Sequence, residues 1–168
     1  IIVIKIGSNL LVNKDQSLNK NWLGSLSKDL KKLIDNKNKV IIVSSGAIAL
    51  GKKILNKKNL KNLHDKQAAA SIGQIQLSQS WQTALSKVSL QSSQILLTAE
   101  DLENRRKYLN ARKTIFALLD LGVIPIINEN DTTSTEEIRF GDNDKLSAII
   151  ANAISADMLV LLSDVNGL

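Results

Sequence analysis

The sequence contains no cysteine, a single histidine and few aromatic residues. No apolar run approaches the roughly 20 residues needed to cross a bilayer as a helix, so no membrane partner is expected. Without cysteine, disulfides and thiolate metal sites are excluded. The one histidine, His64, sits in a Lys-rich stretch, reads as a surface residue and leaves no Ser-His-Asp or Cys-His arrangement to assemble. Aromatics make up 3% of the chain, too few for platforms that stack single-stranded nucleic acid. Neither a GxxxxGK[ST] phosphate loop nor a GxGxxG fingerprint is present, and no segment has the ligand spacing of a calcium EF-hand. The opening IIVIKIGSNLLV carries a lysine inside its apolar run, and no small-residue cleavage site follows. It reads as a strand and not as a secretory signal. Together these features point to a cytoplasmic protein.

What is present suits one domain with a real core: 168 residues, 43% of them hydrophobic. The formal net charge of +6 fits either attraction to anionic partners or a plain abundance of lysine. Lysines scattered over surface-type helical positions favour the second reading. The densest group, KKILNKKNLK at 52–61, is placed to draw in an anionic ligand. No nucleic-acid recognition motif appears.

Short apolar runs alternate with longer helical patterns. Strands are expected at 1–6, 40–43, 94–97, 123–128 and 158–163. Helices are expected at 19–39, where Trp22, Leu23, Leu26, Leu30, Leu33 and Ile34 recur at helical spacing, and at 65–87, 102–122 and 142–156. Gly122 is a plausible stop for the third and Asp142 an N-cap for the fourth. The segment 129–141 reads as a polar loop or small hairpin. Continuous apolar strands alternating with helices predict a parallel sheet covered on both faces. Ligands bind beyond the carboxyl ends of such strands. There the sequence places GSN, SSGAIALG, ENDTTSTEEIRFGDND and SDVNGL, all rich in Gly, Ser, Asn or Asp. A parallel sheet rarely stops just after a strand and turn, so the end at Leu168 suggests a truncated chain.

Several residues there can carry chemistry. Lys5 lies in a strand of Ile and Val, where its ammonium must reach water or meet an anion. Gly7 lets backbone approach a ligand. Ser44, Ser45, Gly46 and Ala47 stand where a strand meets a helix, which suits either an anion site on free backbone N–H groups or an ordinary serine cap. Asn128, Asn130, Asp131, Asp142, Asn143 and Asp144 can hold an amino group, a metal ion or a lysine, or serve as turn and cap residues. Ser163 to Gly167 is a strand-ending turn or part of the same edge. Groups that hold anions and orient a lysine suit phosphoryl transfer, which needs positioning and charge neutralisation more than acid–base machinery.

The collinear series IKIGSN, VIIVSSGAIALG, KQAAASIGQ, LLTAEDLENRRKYLNAR, VIPIINENDT, FGDNDKLSA and LLSDVNGL resembles the glutamate 5-kinases of the amino acid kinase family, over essentially the whole chain. The resemblance implies a three-layer αβα sandwich with a mainly parallel sheet, the acetylglutamate kinase-like fold, incomplete at its C-terminus. Residues 1–168 would be the N-terminal, glutamate-binding part of one amino acid kinase domain. The implied activity is ATP-dependent phosphorylation of the glutamate side-chain carboxylate, the first step of proline formation, with Mg²⁺ on the nucleotide and no protein metal site. Lys5 matches the lysine at the transferring phosphoryl group and Asp144 the acid that orients catalytic lysines. Ser45, Gly46, Ala47, Asp131 and Asn143 match the glutamate site. Ser163 and Asp164 match a Thr-Asp pair near the nucleotide, with Ser in place of Thr. The family's glycine-rich nucleotide loop and second catalytic lysine lie in a half that this sequence does not contain, so the chain by itself is expected to bind nucleotide poorly and to be inactive. Homo-oligomerisation and a proline feedback site overlapping the glutamate region are implied by the same resemblance. Another amino acid kinase with a different acid substrate, or a non-catalytic binding module, are the alternatives.

Overall fold

The computed structural model describes residues 1–57, 59–134 and 142–165, with Asp142 described by its backbone alone. Five strands form one sheet: β1 (Ile2–Ile6), β2 (Val40–Ser44), β3 (Gln91–Leu97), β4 (Val123–Glu129) and β5 (Met158–Leu162). Their order is β3-β4-β2-β1-β5, and every pairing is parallel. The α/β expectation is met, and each expected strand is present to within a few residues.

Helices cover both faces of the sheet. α1 (Ser8–Leu11), α2 (Lys20–Asp35), α3 (Ala47–Ile54) and α4 (Leu63–Ser86) lie on one side. α5 (Ala99–Glu103), α6 (Arg105–Asp120) and α7 (Asp142–Ala153) lie on the other. Alternation along the strands divides the core accordingly. Ile4, Ile6, Val40, Ile42, Ile124 and Ile126 pack with Leu23, Leu30, Leu77 and Trp81 on the first side. Val3, Ile41, Val43 and Ile127 pack with Ile115, Leu119, Leu146 and Ile150 on the second. Strands β1, β2 and β4 are apolar throughout their middle because both faces are covered.

The helices differ from expectation in several places, α2 among them, which ends at Asp35 and not at 39. The helix expected at 102–122 is two, because Thr98 and Asn104 each start one. Thr98 and Asp101 form a reciprocal capping box on α5, and the Asn104 side chain accepts from the backbone N–H groups of Arg106 and Lys107 on α6. The short α1 has no counterpart among the expected helices, being too brief to show a periodicity. Asp142 is the first helical residue of α7 instead of its cap, and that helix ends at Ala153, short of 156. Gly122 does end α6, with φ +72 just past it. Residues 135–141 of the expected polar loop, Lys58, and Asn166 to Leu168 of the closing turn lie outside the described residues.

The packing of α3 on α4 bears most directly on the carboxyl edge of the sheet. A Cβ added to Gly73 would lie 1.8 Å from the Ala47 carbonyl oxygen, and one on Gly51 would lie 1.8 Å from that of Ala69. The two helices touch backbone to backbone, which only glycine permits there. The contact at Gly73 fixes the N-terminus of α3, where that edge begins.

Candidate functional site

The site candidates among the described residues lie at the carboxyl edge of the sheet, whereas Asn166 and Gly167 lie outside the described residues. Lys5 is on β1, an inner strand between β2 and β5, on the same face as Val3 and therefore under α7. Its ammonium meets Asp144, in the first turn of α7, at 2.7 Å. The Lys5 side chain is 12% exposed and that of Asp144 50%, so the pair bridges core and solvent. An ammonium in an apolar strand is costly unless paired, and Asp144 supplies the partner.

The two serines after β2 have separate tasks. Ser44 is fully buried and its hydroxyl accepts the indole N–H of Trp81 at 2.9 Å. Ser45, one position on, accepts from the Asn143 amide at 2.9 Å. Neither serine caps α3. Gly46 stands at the N-cap with φ +112 and no side-chain cap, a backbone conformation that favours glycine. The first N–H groups of α3, beginning at Ala47, thus start a helix with its positive end at the site.

Asn143 also donates to the side-chain oxygen of Asn128 at 3.0 Å. Asn128 is buried at the end of β4 on the face of Ile124 and Ile126, towards α4. Its own amide N–H₂ donates to the Gln74 side-chain oxygen at 2.8 Å, and its oxygen takes the backbone N–H of Glu129 at 2.9 Å. The chain Ser45–Asn143–Asn128–Gln74 wraps the edge of the sheet from the α7 side to the α4 side. Among the described residues, the Asn143 side-chain oxygen is buried with no donor.

Asp131 follows β4 in a turn built on Asn130, whose carbonyl accepts from Thr133 and Ser134. It lines a groove of about 270 Å³ with Gln74, Gln94, Leu96 and Glu129. Lys5, Ser45 and Asn143 are not among the residues lining that groove. At the far side of the edge, Ser163 and Asp164 follow β5 and are exposed. The Asn9 amide donates to Asp164 at 3.1 Å, and the Gly7 N–H donates to the Leu162 carbonyl at 3.2 Å. Gly7 itself is not demanded by the backbone: a Cβ there would meet its neighbours at ordinary contact distance, though only 3.8 Å from the Lys5 ammonium.

Gln74 and Asn9 do not stand out as candidates in the sequence. Gln74 occupies an Ala- and Gln-rich helix where several glutamines look alike, and Asn9 lies in the brief α1. His64 is exposed as expected, but it has a partner in Gln67 at 3.0 Å. No group of three His, Cys, Asp or Glu side chains that could hold a metal ion occurs among the described residues. No helix among the described residues is long and apolar enough to cross a membrane.

A family model described as the amino acid kinase family matches residues 1–168. Glutamate 5-kinase 1 of Mesorhizobium japonicum is 53% identical over 169 residues, 99% of this chain and 44% of its own length. Glutamate 5-kinase of Pelagibacter ubique is 53% identical over 170 residues, covering 100% of this chain and 46% of the relative. The glutamate 5-kinase of Zymomonas mobilis is likewise 53% identical, over 99% of this chain and 43% of its own length. The chain therefore spans less than half the length of these curated relatives.

Proposed function

The chain belongs to the amino acid kinase family, and from that premise we propose that it is the glutamate-binding part of an ATP-dependent glutamate 5-kinase. The observation that carries this reading is the Lys5–Asp144 pair standing beside the Ser45–Asn143–Asn128 cluster at one sheet edge. In the proposed reaction a glutamate side-chain carboxylate oxygen attacks the terminal phosphorus of ATP. A new O–P bond forms, the bridging O–P bond breaks, and ADP leaves with its electron pair. The nucleophile has an ordinary pKa of about 4.3, so it is already ionised near neutral pH and needs no general base.

The obstacle is bringing one anion to another. Lys5, held in place by Asp144, offers its charge to the transferring phosphoryl group. The α3 N-terminus at Gly46 and Ala47, Ser45, Asn143 and Asp131 take the glutamate, and Ser163 and Asp164 lie at the nucleotide. Mg²⁺ carried on the phosphates would lower the remaining repulsion. Loss of one such charge contact typically raises the barrier by about 3–4 kcal/mol.

The same reading makes this a cytoplasmic enzyme of amino-acid biosynthesis that opens the route to proline and assembles with copies of itself. A proline feedback site would overlap the glutamate region. The reading concerns the whole protein, because this chain spans less than half the length of the curated relatives it matches. The test is glutamate-dependent ATP consumption by the full-length protein, with aspartate and N-acetylglutamate as controls. Turnover with glutamate alone supports the reading. Turnover with another acid keeps phosphoryl transfer and overturns the substrate.

A further inference from the structure

The Glu129 backbone N–H can only donate, so the atom of Asn128 that faces it must be the oxygen, 2.9 Å away. That contact sets which end of the Asn128 amide faces β4, and the contact on its nitrogen holds the side chain in that orientation. Asn128 must turn its N–H₂ the other way, and Gln74 receives it with an oxygen at 2.8 Å. With the Asn128 oxygen facing it at 3.0 Å, Asn143 must present its own N–H₂ there, and the Ser45 hydroxyl lies 2.9 Å from the same nitrogen. The Asn143 oxygen is then the atom left over, buried and without a donor among the described residues. An acceptor buried without a partner is costly, and a ligand that brings a donor would satisfy it.

We propose that Gln74 is a positioning residue which locks this relay, so that the Asn143 oxygen stays turned towards a donor on the substrate, its ammonium group. The proposal rests on the glutamate reading for the identity of the acid and goes beyond it in naming a residue that sets selectivity for an amino acid over the corresponding plain dicarboxylic acid. Gln74 is well placed for this. It sits on α4 one residue after Gly73, whose contact with the Ala47 carbonyl pins that helix to the start of α3. Its own N–H₂ is held by Ser78 at 3.3 Å and Gln94 at 3.1 Å, so its oxygen is the end left for Asn128. If Gln74 offered no acceptor, Asn128 would keep its bond to Glu129 but lose the anchor on its nitrogen. The side chain would then be free to swing and release Asn143 to rotate its amide.

The experiment compares glutamate with glutarate, which lacks the ammonium, in the full-length protein. Turnover and calorimetric binding are both measured for wild type, Gln74→Met and Gln74→Glu. Met matches the length of Gln without an acceptor, whereas Glu keeps the oxygen that Asn128 needs. Wild type should prefer glutamate by about tenfold or more, the usual worth of a hydrogen bond to a charged group. The Met variant should lose most of that preference while the KM for ATP stays within about twofold, and the Glu variant should keep it within about threefold. A merely structural role would lower both acids alike and leave their ratio unchanged, which overturns the proposal. If the Met variant does not fold, the Glu variant decides: loss of the preference by about tenfold overturns the relay. A wild-type protein that consumes ATP with glutamate, together with an unchanged ratio in the Met variant, overturns the relay alone. A wild-type protein that binds neither acid overturns the relay and the function together.

Discussion

At one end of the sheet edge, Ser45, Asn143, Asn128 and Gln74 are tied together from the β2–α3 turn, α7, β4 and α4 by bonds of 2.8–3.0 Å. At the other, Ser163 and Asp164 stand exposed past edge strand β5, where Asn9 reaches Asp164 at 3.1 Å. The first end is preorganised by elements on both faces of the sheet. The second is built on a strand with one neighbour, β1, and with Met158 and Leu161 open to solvent. Preorganised polar groups cost little further ordering when a ligand arrives, so the amide end should govern substrate selectivity. Lys5 and Asp144 stand between the two.

The largest effect is expected where the ends meet. In the full-length protein Lys5→Ala should lower kcat by about 10²–10³-fold, with glutamate binding within about threefold of wild type. Unaltered kcat would remove Lys5 from the chemistry. Next, Asp131→Ala should raise the KM for glutamate by about 10–100-fold and leave that for ATP within about twofold, since a charge-assisted contact is lost on one side alone. An unchanged glutamate KM would take Asp131 out of the proposed glutamate site.

The preorganisation itself can be tested through stability. Gly73→Ala should cost about 1–3 kcal/mol in urea unfolding, because its Cβ would lie 1.8 Å from the Ala47 carbonyl oxygen. Gly24→Ala in α2 is the control: a Cβ there meets no atom within 4 Å, and helix propensity predicts a gain of about 0.5–1 kcal/mol. Equal effects of the two would mean that the α3–α4 contact is not tight.

A smaller effect belongs to the α5 cap. The Lys107 ammonium, and then the Thr98 backbone N–H, hold the Asp101 carboxyl below the usual carboxylate range. A lowered folded pKa means that this stabilisation is complete above an unfolded value of about 4 and fades as the pH falls through the folded value. Asp101→Asn should therefore cost about 1 kcal/mol at pH 7 and progressively less in acid, as read from urea midpoints at a series of pH values. A cost independent of pH would contradict the ionised cap. The smallest effect is expected at the β5 end, where Asn9→Ala removes a single hydrogen bond to Asp164 and should raise the KM for ATP by no more than about threefold.

Much of this was legible in the residues themselves. Continuous runs such as VIIV and VIPIIN declared central parallel strands, because a strand buried on both faces has no polar side to show. Lys5 announced itself by standing alone in such a run, and INENDT and GDND announced a polar edge. The choice between Ser44 and Ser45 was not legible from pattern. Both are small and polar, and only the position of Trp81, 37 residues away, shows that Ser44 is spent on the core. Gln74 was equally hidden, since its partner Asn128 is 54 residues distant and nothing local marks one glutamine among several.

The sequence by itself determined the class of fold, the edge where chemistry gathers and the family to which the chain belongs, because these depend on local hydrophobic runs and short motifs at strand ends. The tertiary structure alone decided that Asp144 meets Lys5 directly, that Ser44 is spent on Trp81, and the direction of the amide relay. Those depend on side chains from distant segments meeting within about 3 Å, and on a backbone N–H at Glu129 that sets which end of the Asn128 amide faces it.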